Sequence, residues 1–332
     1  MNKRISVIVP AYNSAGTIGK CLEALFSSPC DDFEVIVVDD CSSDGSHEIV
    51  RQFPCKLIRL EERSGAARAR NIGAQNSCGK VLFFIDSDCV VQENTLSVLE
   101  RTFDAAEEVV LGGSYTMVPF DDRFFSTFQS VFIHYSETKR KDPDYVASHA
   151  MAIGKDLFEK SGGFPEDFMP IIEDVEFSHR LRRAGTILRM EPAMLVRHIF
   201  NFTLSKSLRN AFRKSKYWTA YSLKNRDLLN DSGTASRELK TNVVSCLLVL
   251  CIILMSFFFR GSVVLPAVLP ILGLNIYVNR NFLALLRDAK GLAFAVSAAV
   301  YYMAVYPLPV CAGSLSGAAR YYLRLGDLRG VR

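Results

Sequence analysis

The sequence predicts an α/β domain followed by apolar helices that enter a membrane. From Ile5 to about residue 118, short β-branched segments alternate with amphipathic, turn-bounded segments, the pattern of a parallel sheet covered by helices. Long uncharged apolar stretches are confined to the last quarter of the chain. Carboxylates directly follow two predicted strands, which places them at the ligand-binding edge of an open sheet. A chain of 332 residues is long enough for one such domain with an appendage.

Hydrophobic periodicity and turn residues predict the individual elements. The strands are expected at 5–9, 33–38, 56–60, 81–85 and 109–117, and the helices at 17–27, 46–53, 66–76 and 94–105. Residues 119–145 have no clear period and are expected to form loops and short helices near an acceptor site. Beyond them we expect a strand at 146–153, a helix from Glu173, and short strands at 187–190 and 194–198.

Charge and cysteine usage narrow the class of protein. The net charge is only +4, but no acidic residue interrupts the basic stretch from Arg197 to Arg226. Because this stretch directly precedes the apolar segments, it favours anionic lipid headgroups over nucleic acid as its partner. Nine cysteines without a C-x-x-C pair are typical of reduced, cytosolic or intramembrane packing residues. The apolar run at 5–9 is too short for a signal peptide, so this part is expected to stay in the cytoplasm.

The C-terminal half predicts membrane segments. Residues 205–225 have the pattern of a basic amphipathic helix in the headgroup layer, although a surface helix packed on the domain has the same pattern. Residues 243–259 and 263–278 predict a membrane hairpin that turns at 260–262. A third segment, 292–310, either crosses the membrane or lies at its interface, because Pro307 and Pro309 interrupt its end. The expected regions are 1–200 (α/β domain), 201–240 (interfacial helix), 241–312 (membrane segments) and 313–332 (basic cytoplasmic tail).

Polar residues follow the first two predicted strands. Tyr12 offers a ring on which a base could stack, although a plain turn at Asn13-Ser14 would look the same. Asp40 can accept hydrogen bonds from a ribose or a base edge. Capping of the next helix would explain Ser43 or Asp44 but does not explain Asp40.

The sharpest local signal is Asp86-Ser87-Asp88 after a wholly apolar strand. One carboxylate can bind a nucleotide while the other holds a hard divalent cation that bridges diphosphate oxygens. Surface turns also produce D-x-D, so the buried strand before it and the presence of Asp40 carry the prediction. His198 could complete the metal shell through its imidazole, or it could be a histidine at the edge of the core.

Asp174 is the candidate general base. It falls in the first turn of a predicted helix on the inward stripe, where the helix dipole keeps a carboxylate ionised and able to take a proton from an acceptor hydroxyl. Acidic residues also favour helix N-termini without any catalytic role. We interpret His134, His149 and His179 as structural or acceptor-side residues.

Taken in order, these motifs resemble the family 2 glycosyltransferases of GT-A fold over roughly residues 5–198. The motifs are Pro10-Ala11-Tyr12-Asn13, Val38-Asp39-Asp40-Cys41-Ser42, Ala67-Arg68-Ala69-Arg70-Asn71-Ile72-Gly73, Asp86-Ser87-Asp88, and Gly162-Gly163-Phe164 before Glu173-Asp174. The resemblance implies a Rossmann-like GT-A sheet and inverting transfer from a nucleotide-diphosphate sugar. It places Mg²⁺ or Mn²⁺ at Asp88, nucleotide-sugar contacts at Pro10, Tyr12, Asp40 and Asp86, and the base at Asp174. It also implies that Arg63 or Arg68 faces the nucleotide and that Asn71 braces the loop.

Departures from related families bear on the acceptor. Polyprenyl-phosphate sugar synthases usually have Leu-Gln after D-x-D and lack the Glu-Asp pair, whereas Cys89-Val90 follow Asp88 here and Glu173-Asp174 is present. This favours a hydroxyl of a saccharide or glycolipid, as in cell-surface polysaccharide or glycolipid synthesis, with such a synthase as the alternative. Residues 213–218 only approximate the Q/R-x-x-R-W motif of processive enzymes, so long-chain polymerisation is not expected. The expected location is the inner cell membrane, multi-pass, with the catalytic domain in the cytoplasm.

Two rival functions remain at this point. A nucleotidyltransferase would want a Gly-rich, basic loop after the first strand, and the sequence there is Pro10-Ala11-Tyr12-Asn13-Ser14. A membrane scaffold that binds nucleotide sugars without turnover would need neither Asp174 nor the intact D-x-D.

Overall fold

The computed structural model describes residues 4–103, 108–166, 171–258 and 265–323, and the chain divides into two compact units. The α/β unit comprises residues 1–122 and 137–201, and the helical unit comprises residues 123–136 and 202–332. The segment 123–136, which the sequence analysis placed within an α/β domain at 1–200, therefore groups with the helices.

The α/β unit is built on a mixed sheet of eight strands within the described residues, in the order β3-β2-β1-β4-β7-β6-β8-β5. The strands are β1 Ile5–Ala11, β2 Phe33–Asp39, β3 Lys56–Arg59, β4 Val81–Ile85, β5 Cys89–Val91, β6 Val109–Tyr115, β7 Ala150–Gly154 and β8 Ile187–His198. The first four are parallel, as the sequence predicts, and β7 runs antiparallel between β4 and β6. Because β1, β2 and β4 are parallel neighbours, their carboxyl ends meet at one edge.

Helices cover this sheet and hold the site-bearing loops. In chain order those of the α/β unit are α1 Ile18–Phe26, α2 Ser46–Val50, α3 Ala66–Gln75, α4 Thr95–Thr102, α6 Lys155–Lys160 and α7 Glu173–Arg183. Helix α5, Phe124–Thr138, lies mostly in the helical unit. A buried cluster of phenylalanines fixes α6 and α7 against β4. The ring centroids of Phe84 and Phe164 are 5.1 Å apart, and those of Phe164 and Phe177 are 4.7 Å apart. Such edge-to-face and tilted pairs add to the free energy gained from burying apolar area.

The glycine turn before α7 needs both of its glycines. Gly162 and Gly163 have positive φ, and a Cβ on Gly163 would lie 2.7 Å from Asn71 Oδ1. The Asn71 side chain accepts a hydrogen bond from the Phe164 amide at 2.9 Å and donates to the Phe164 carbonyl at 2.8 Å. Asn71 thus braces this loop, as the resemblance implies, and the loop delivers the chain to α7.

Four further helices make up most of the helical unit: α8 Leu204–Asn225, α9 Arg237–Ser256, α10 Val268–Val300 and α11 Pro307–Tyr322. Helix α10 is interrupted at Lys290 and Gly291, directly before the predicted third apolar segment, and a π-helical turn at Tyr301–Val305 leads towards α11. Helices α8 and α11 approach closely, because a Cβ on Gly313 would meet the Phe212 carbonyl oxygen and a Cβ on Gly317 would meet that of Lys216. This small-xxx-small packing lets two backbones touch.

Among the residues that the structure describes, two helical segments are long and apolar enough to cross a membrane, Arg237–Ser256 with mean hydropathy 2.1 and Val268–Tyr322 with mean hydropathy 1.5. Only 22% and 33% of their most apolar windows is buried within the protein. The predicted hairpin turn at 260–262, the predicted helix end at residue 105 and the tail from residue 324 lie outside the described residues.

Three expectations about elements were wrong. Residues 119–145 contain the 15-residue helix α5 rather than loops and short helices. The two short strands at 187–190 and 194–198 are one strand, β8, whose pairing with β6 shifts register between Gly112 and Ser114. Strand β5 was not predicted, and β7 begins at Ala150 rather than at residue 146.

Candidate active site

The nucleotide side of the site lies at the ends of β1 and β2. Pro10 is buried in β1 beside Val38, and the Asp40 amide donates to the Ala11 carbonyl at 2.8 Å. The Asp40 carboxylate is buried and accepts backbone hydrogen bonds from Ser64 at 2.6 Å and Gly65 at 2.9 Å. It therefore fixes the loop before α3, while a carboxylate retains further lone pairs for a ligand.

Arg63 and Arg68, which the resemblance leaves as alternatives, are differently placed. The Arg63 guanidinium lies 4.0 Å from the centroid of the Tyr12 ring, the ring to which the sequence analysis assigns base stacking. The Arg68 side chain is 49% exposed and lies 4.0 Å from Glu166. Tyr12 is 40% exposed, so its ring remains accessible to a ligand. Of the two arginines, Arg63 is the one at the predicted stacking platform.

Arg70 connects the D-x-D motif to the start of α7. Its guanidinium nitrogens lie 2.7 Å from Asp86 Oδ1 and 2.7 Å from Glu173 Oε1, and its side chain is only 4% exposed. Burial alone would lower the pKa of Arg70, but attraction to Asp86 and Glu173 raises it. Burial likewise opposes ionisation of Asp86, yet the Arg70 charge lowers the pKa of that carboxyl. The two terminal nitrogens of Arg70 each form a charge-assisted hydrogen bond to a different carboxylate, so one guanidinium bridges Asp86 and Glu173.

Asp88 stands in a different environment two residues later. Burial raises the pKa of the Asp88 carboxyl, the nearby Asp86 charge adds to the rise, and His198 opposes it. The Asp88 Oδ1 atom lies 3.5 Å from His198 Nε2. The two residues meet because Cys89 pairs with His198 in the antiparallel β5–β8 ladder. A bound cation would favour the ionised form of this carboxyl. The Asp88 carboxyl and the neighbouring imidazole together are therefore a site at which a cation would be stabilised.

The donor atoms at this point fit a hard divalent cation. Ligand atoms of Asp88, Cys89 and His198 all lie within 4.8 Å of one another. Burial raises the pKa of the Cys89 thiol well above its usual range, which leaves carboxylate oxygen and imidazole nitrogen as the better ligands. Mn²⁺ and Mg²⁺ accept oxygen donors, and Mn²⁺ also accepts imidazole. The His198 ring is held for this purpose by stacking on Phe200, with centroids 3.8 Å apart.

Asp174 is oriented by backbone groups. It lies in the first turn of α7 and accepts hydrogen bonds from the Ser148 amide at 3.1 Å and from the Val175 amide at 2.9 Å. The residue before the helix, Ile172, has a φ of 69°. The chain therefore enters α7 through a left-handed backbone conformation that β-branched residues rarely adopt. Backbone strain of this kind is concentrated at functional sites.

The structure thus brings Asp86, Asp88 and Asp174 together and leaves Arg68 at the edge. Asp174 contributes to the electrostatic field at Arg70, and Arg70 touches both Asp86 and Glu173. Sequence reasoning named neither Arg70 nor Glu173 as a site residue. The signal available in the sequence was the presence of Arg70 and Glu173 within the two motifs that carry the family resemblance.

Comparison with known proteins identifies the family. Residues 6–159 match the glycosyl transferase family 2 model. These residues are just under half of the chain, and they form a glycosyl transferase family 2 domain. Glycosyltransferase AglE of Haloferax volcanii is 32% identical over 192 residues, which cover 54% of this chain and 62% of AglE. Succinoglycan biosynthesis protein ExoO of Rhizobium meliloti is 32% identical over 127 residues, 37% of this chain and 36% of ExoO.

The GT-A fold is shared with a solved structure. A mannosyltransferase of Pyrobaculum calidifontis, in complex with GDP-Man and Mn²⁺, superposes with a TM-score of 0.57 over 98% of this chain and 89% of its own, at 18% identity. The chain spans less than two thirds of the length of the family 2 relatives described above. The sequence prediction of a family 2 domain on a GT-A sheet is therefore confirmed.

Proposed function

We propose that this chain is an inverting glycosyltransferase that moves a sugar from a nucleotide-diphosphate donor to a hydroxyl of a saccharide or glycolipid. The observation that carries the proposal is the bridge made by Arg70, which ties Asp86 of the donor-binding motif to Glu173, the neighbour of the candidate base Asp174. One buried cation thus fixes two carboxylate-bearing loops that the reaction needs close together. Support also comes from the family 2 domain and from the similarity to ExoO, a succinoglycan biosynthesis protein.

The donor would be held by groups at the carboxyl edge of the sheet. Asp40 and Asp86 accept hydrogen bonds from the nucleoside, and Tyr12 stacks on its base, with Arg63 placed against the same ring. Pro10 would contact the nucleotide through its backbone, since its side chain is buried. A Mg²⁺ or Mn²⁺ ion held by Asp88 and His198 would supply positive charge for the diphosphate. The Pyrobaculum mannosyltransferase, whose structure contains GDP-Man and Mn²⁺, supports this choice of donor class and ion.

Asp174 performs the proton transfer. In a direct displacement the acceptor hydroxyl attacks the anomeric carbon, the bond to the diphosphate breaks, and the configuration at that carbon inverts. The hydroxyl proton moves to a carboxylate oxygen of Asp174, which the Ser148 and Val175 amides hold in place. Orientation of this base by backbone donors reduces the entropy lost when the acceptor is positioned.

The helical unit would anchor the enzyme in the inner cell membrane as a multi-pass protein, with the catalytic unit on the cytoplasmic face. Large apolar side chains on α9 and α10 are exposed, among them Leu254 at 60% and Leu269 at 70%. Exposed apolar helices of this length match a hydrocarbon core. Helix α8 carries Arg209 and Arg213 on its exposed face, which suits anionic headgroups.

Replacement of the base tests the proposal. Asp174→Asn should reduce transfer by about 10²-fold or more while leaving donor affinity nearly unchanged, because the amide cannot accept the proton. Asp156→Asn is the matched control, since Asp156 is also an acidic residue in the first turn of a helix, α6, and takes no part in the site. Full activity in Asp174→Asn would remove Asp174 from the mechanism.

The acceptor can be assigned with Asp174→Asn, and the donor with measurements of ligand binding. Transfer to a polyprenyl phosphate that survives Asp174→Asn would indicate the alternative, a polyprenyl-phosphate sugar synthase, whose acceptor is already an anion. Thermal shifts with UDP-, GDP- and dTDP-sugars, each with and without Mn²⁺, would identify the donor through ligand-linked stabilisation. Asp88→Asn should abolish the Mn²⁺-dependent part of the shift. Donor binding without transfer or hydrolysis in the wild-type chain would indicate a non-enzymatic scaffold.

A further inference from the structure

A buried histidine–glutamate pair lies directly behind the site and has no role in the mechanism above. His149 is 7% exposed and Glu137 is 8% exposed, and His149 Nε2 lies 3.5 Å from Glu137 Oε2. His149 immediately precedes β7, whose first residue Ala150 pairs with Ile85 at the end of β4. The antiparallel register therefore places His149 beside Asp86, and the preceding residue, Ser148, binds Asp174.

Neighbouring side chains hold this pair in one position. Glu137 Oε2 accepts a hydrogen bond from the Ser114 hydroxyl at 2.7 Å. The Tyr115 ring stacks on the His149 ring with centroids 4.0 Å apart, and it meets the His198 ring edge-on at 5.0 Å. His149 is thus packed against Tyr115 of β6 and faces Glu137 at the end of α5, so its ring has little freedom to move.

The surroundings of His149 favour a positive charge. Burial alone would lower the pKa of its imidazole, but the carboxylates of Glu137, Asp86 and Asp174 raise it. Asp88 after β4, Cys89 in β5 and His198 in β8 are the other titratable groups around Tyr115 and the D-x-D motif. The second buried cation, Arg70, is already committed to Asp86 and Glu173.

We propose that His149 is a positioning residue: buried beside Glu137 and next to Asp86 in the sheet register, it keeps the donor-binding and proton-accepting carboxylates in one arrangement. This inference rests on the proposed function of the same site. Two like charges that converge without a cation repel one another, so loss of His149 would displace the loop bearing Ser148 and misplace Asp174. A core histidine retained only for packing would have no such effect on the reaction.

A double variant separates the two roles. His149→Gln alone leaves Glu137 as a buried unpaired charge, which destabilises the fold whatever the function of the pair. In Glu137→Gln/His149→Gln both charges are absent, and two amides of similar size can hydrogen-bond each other and Ser114. His179→Gln is the matched control, since His179 also lies near a carboxylate, Asp144, at 3.8 Å.

Turnover and stability are then measured on the full chain in detergent with the donor and acceptor identified above. We expect the double variant to recover most of the thermal stability lost in His149→Gln, yet to keep kcat lowered by about tenfold or more with donor KM changed much less. His179→Gln should match wild type in both. Wild-type kcat in a stable double variant would overturn the proposal.

A measurement on the wild-type chain decides the matter even if the double variant does not fold. The imidazole resonances of the five histidines can be followed by NMR from pH 5.5 to 8.5, with the other four assigned by substitution. We expect the His149 midpoint to lie above the ordinary value of about 6.5, and a neutral His149 at pH 6.5 would refute the inference. Because this readout needs no turnover, absence of transferase activity in wild type would count against the proposed function alone.

Discussion

The two units of the chain bury different kinds of side chain. The α/β unit encloses ionisable groups that lie in pairs, such as Arg70 with Asp86 and Glu173, and His149 with Glu137. The helical unit buries amides and aromatic rings instead. Asn279 Nδ2 donates to Asn242 Oδ1 at 2.8 Å, and Phe128 packs edge-to-face on Tyr301 with centroids 4.9 Å apart.

The outer surfaces of the two units also differ, and here the helical unit has the more apolar surface. Exposed large apolar residues are concentrated in the helical unit, where Leu229 and Phe258 are 90% and 85% exposed. In the described part of the α/β unit the largest such exposure is that of Ile187, at 53%. The comparison teaches that the α/β unit uses its interior for charged side chains, whereas the helical unit exposes apolar side chains and is held together by hydrogen bonds and close packing, as expected of helices in an apolar medium.

Of the substitutions we propose, removal of the buried Arg70 charge should destabilise the protein most. Arg70→Met leaves Asp86 and Glu173 without their shared partner, which we expect to cost about 3–5 kcal/mol in free energy of unfolding. The loss of protection in hydrogen exchange should be largest for amides of β4 and α7. Arg68→Met, which alters a half-exposed arginine on the same helix, should cost less than about 0.5 kcal/mol. Equal losses in both variants would contradict this account of the buried network.

A lysine placed on the apolar surface of α9 tests whether the helical unit lies in lipid. Leu250→Lys substitutes a 42% exposed residue of α9 and should disfavour membrane insertion by about 2.5–3.5 kcal/mol. The measurement is the fraction of chain that stays in membranes after carbonate extraction. Ile187→Lys makes the same change on the α/β unit and should leave that fraction unaltered. If Leu250→Lys behaves like Ile187→Lys, α9 does not lie in lipid.

Close packing in the helical unit predicts a smaller effect. Gly317→Ala adds a methyl group against the Lys216 carbonyl, and separating α8 from α11 should cost about 1–3 kcal/mol. The single tryptophan, Trp218 of α8, reports the change through its fluorescence during unfolding. Gly273→Ala is the control, since nothing lies within 4 Å of a Cβ at that glycine of α10. Alanine has the higher helix propensity, so propensity alone would stabilise both variants, and equal losses in the two would contradict the packing explanation.

The smallest effect we expect is a pH dependence of the α/β unit. The pKa of His149 is raised in the folded chain because Glu137, Asp86 and Asp174 outweigh its burial. A raised histidine pKa contributes stability that is fully present below the unfolded value, about 6.5, and is lost as pH rises through the folded value. Melting temperature should therefore fall more steeply above pH 6.5 in wild type than in Glu137→Gln/His149→Gln. Parallel curves for the two proteins would exclude His149 as the titrating group.

Much of the sheet follows from the sequence because its strands are continuous apolar runs ended by turn residues. The bounds of β4 are those predicted, and β1, β2 and β3 differ by at most two residues. Strand β5 has only three residues, too few to show a period. The antiparallel direction of β7 could not be predicted, since its partners β4 and β6 are joined to it by long connections rather than hairpins.

The site was predictable where carboxylates follow strands, and not where contacts are remote in sequence. Asp40, Asp86 and Asp88 stand out because a buried strand precedes them. Arg70 meets Glu173 across 103 positions, and no local pattern on α3 indicates that contact. Helix α5 was missed even though Phe124, Phe128 and Phe132 recur every four residues, a spacing that places them on one face of a helix.

That same helix has a practical consequence for anyone who wishes to prepare the catalytic part alone. The chain leaves the α/β unit at Arg123 and returns to it at Glu137, so no single cut separates the two units. A fragment ending near residue 201 would retain α5 but lose Tyr301 and Phe282, against which Phe128 packs. Its phenylalanines would then face water, and such a fragment should aggregate unless they are replaced by polar residues.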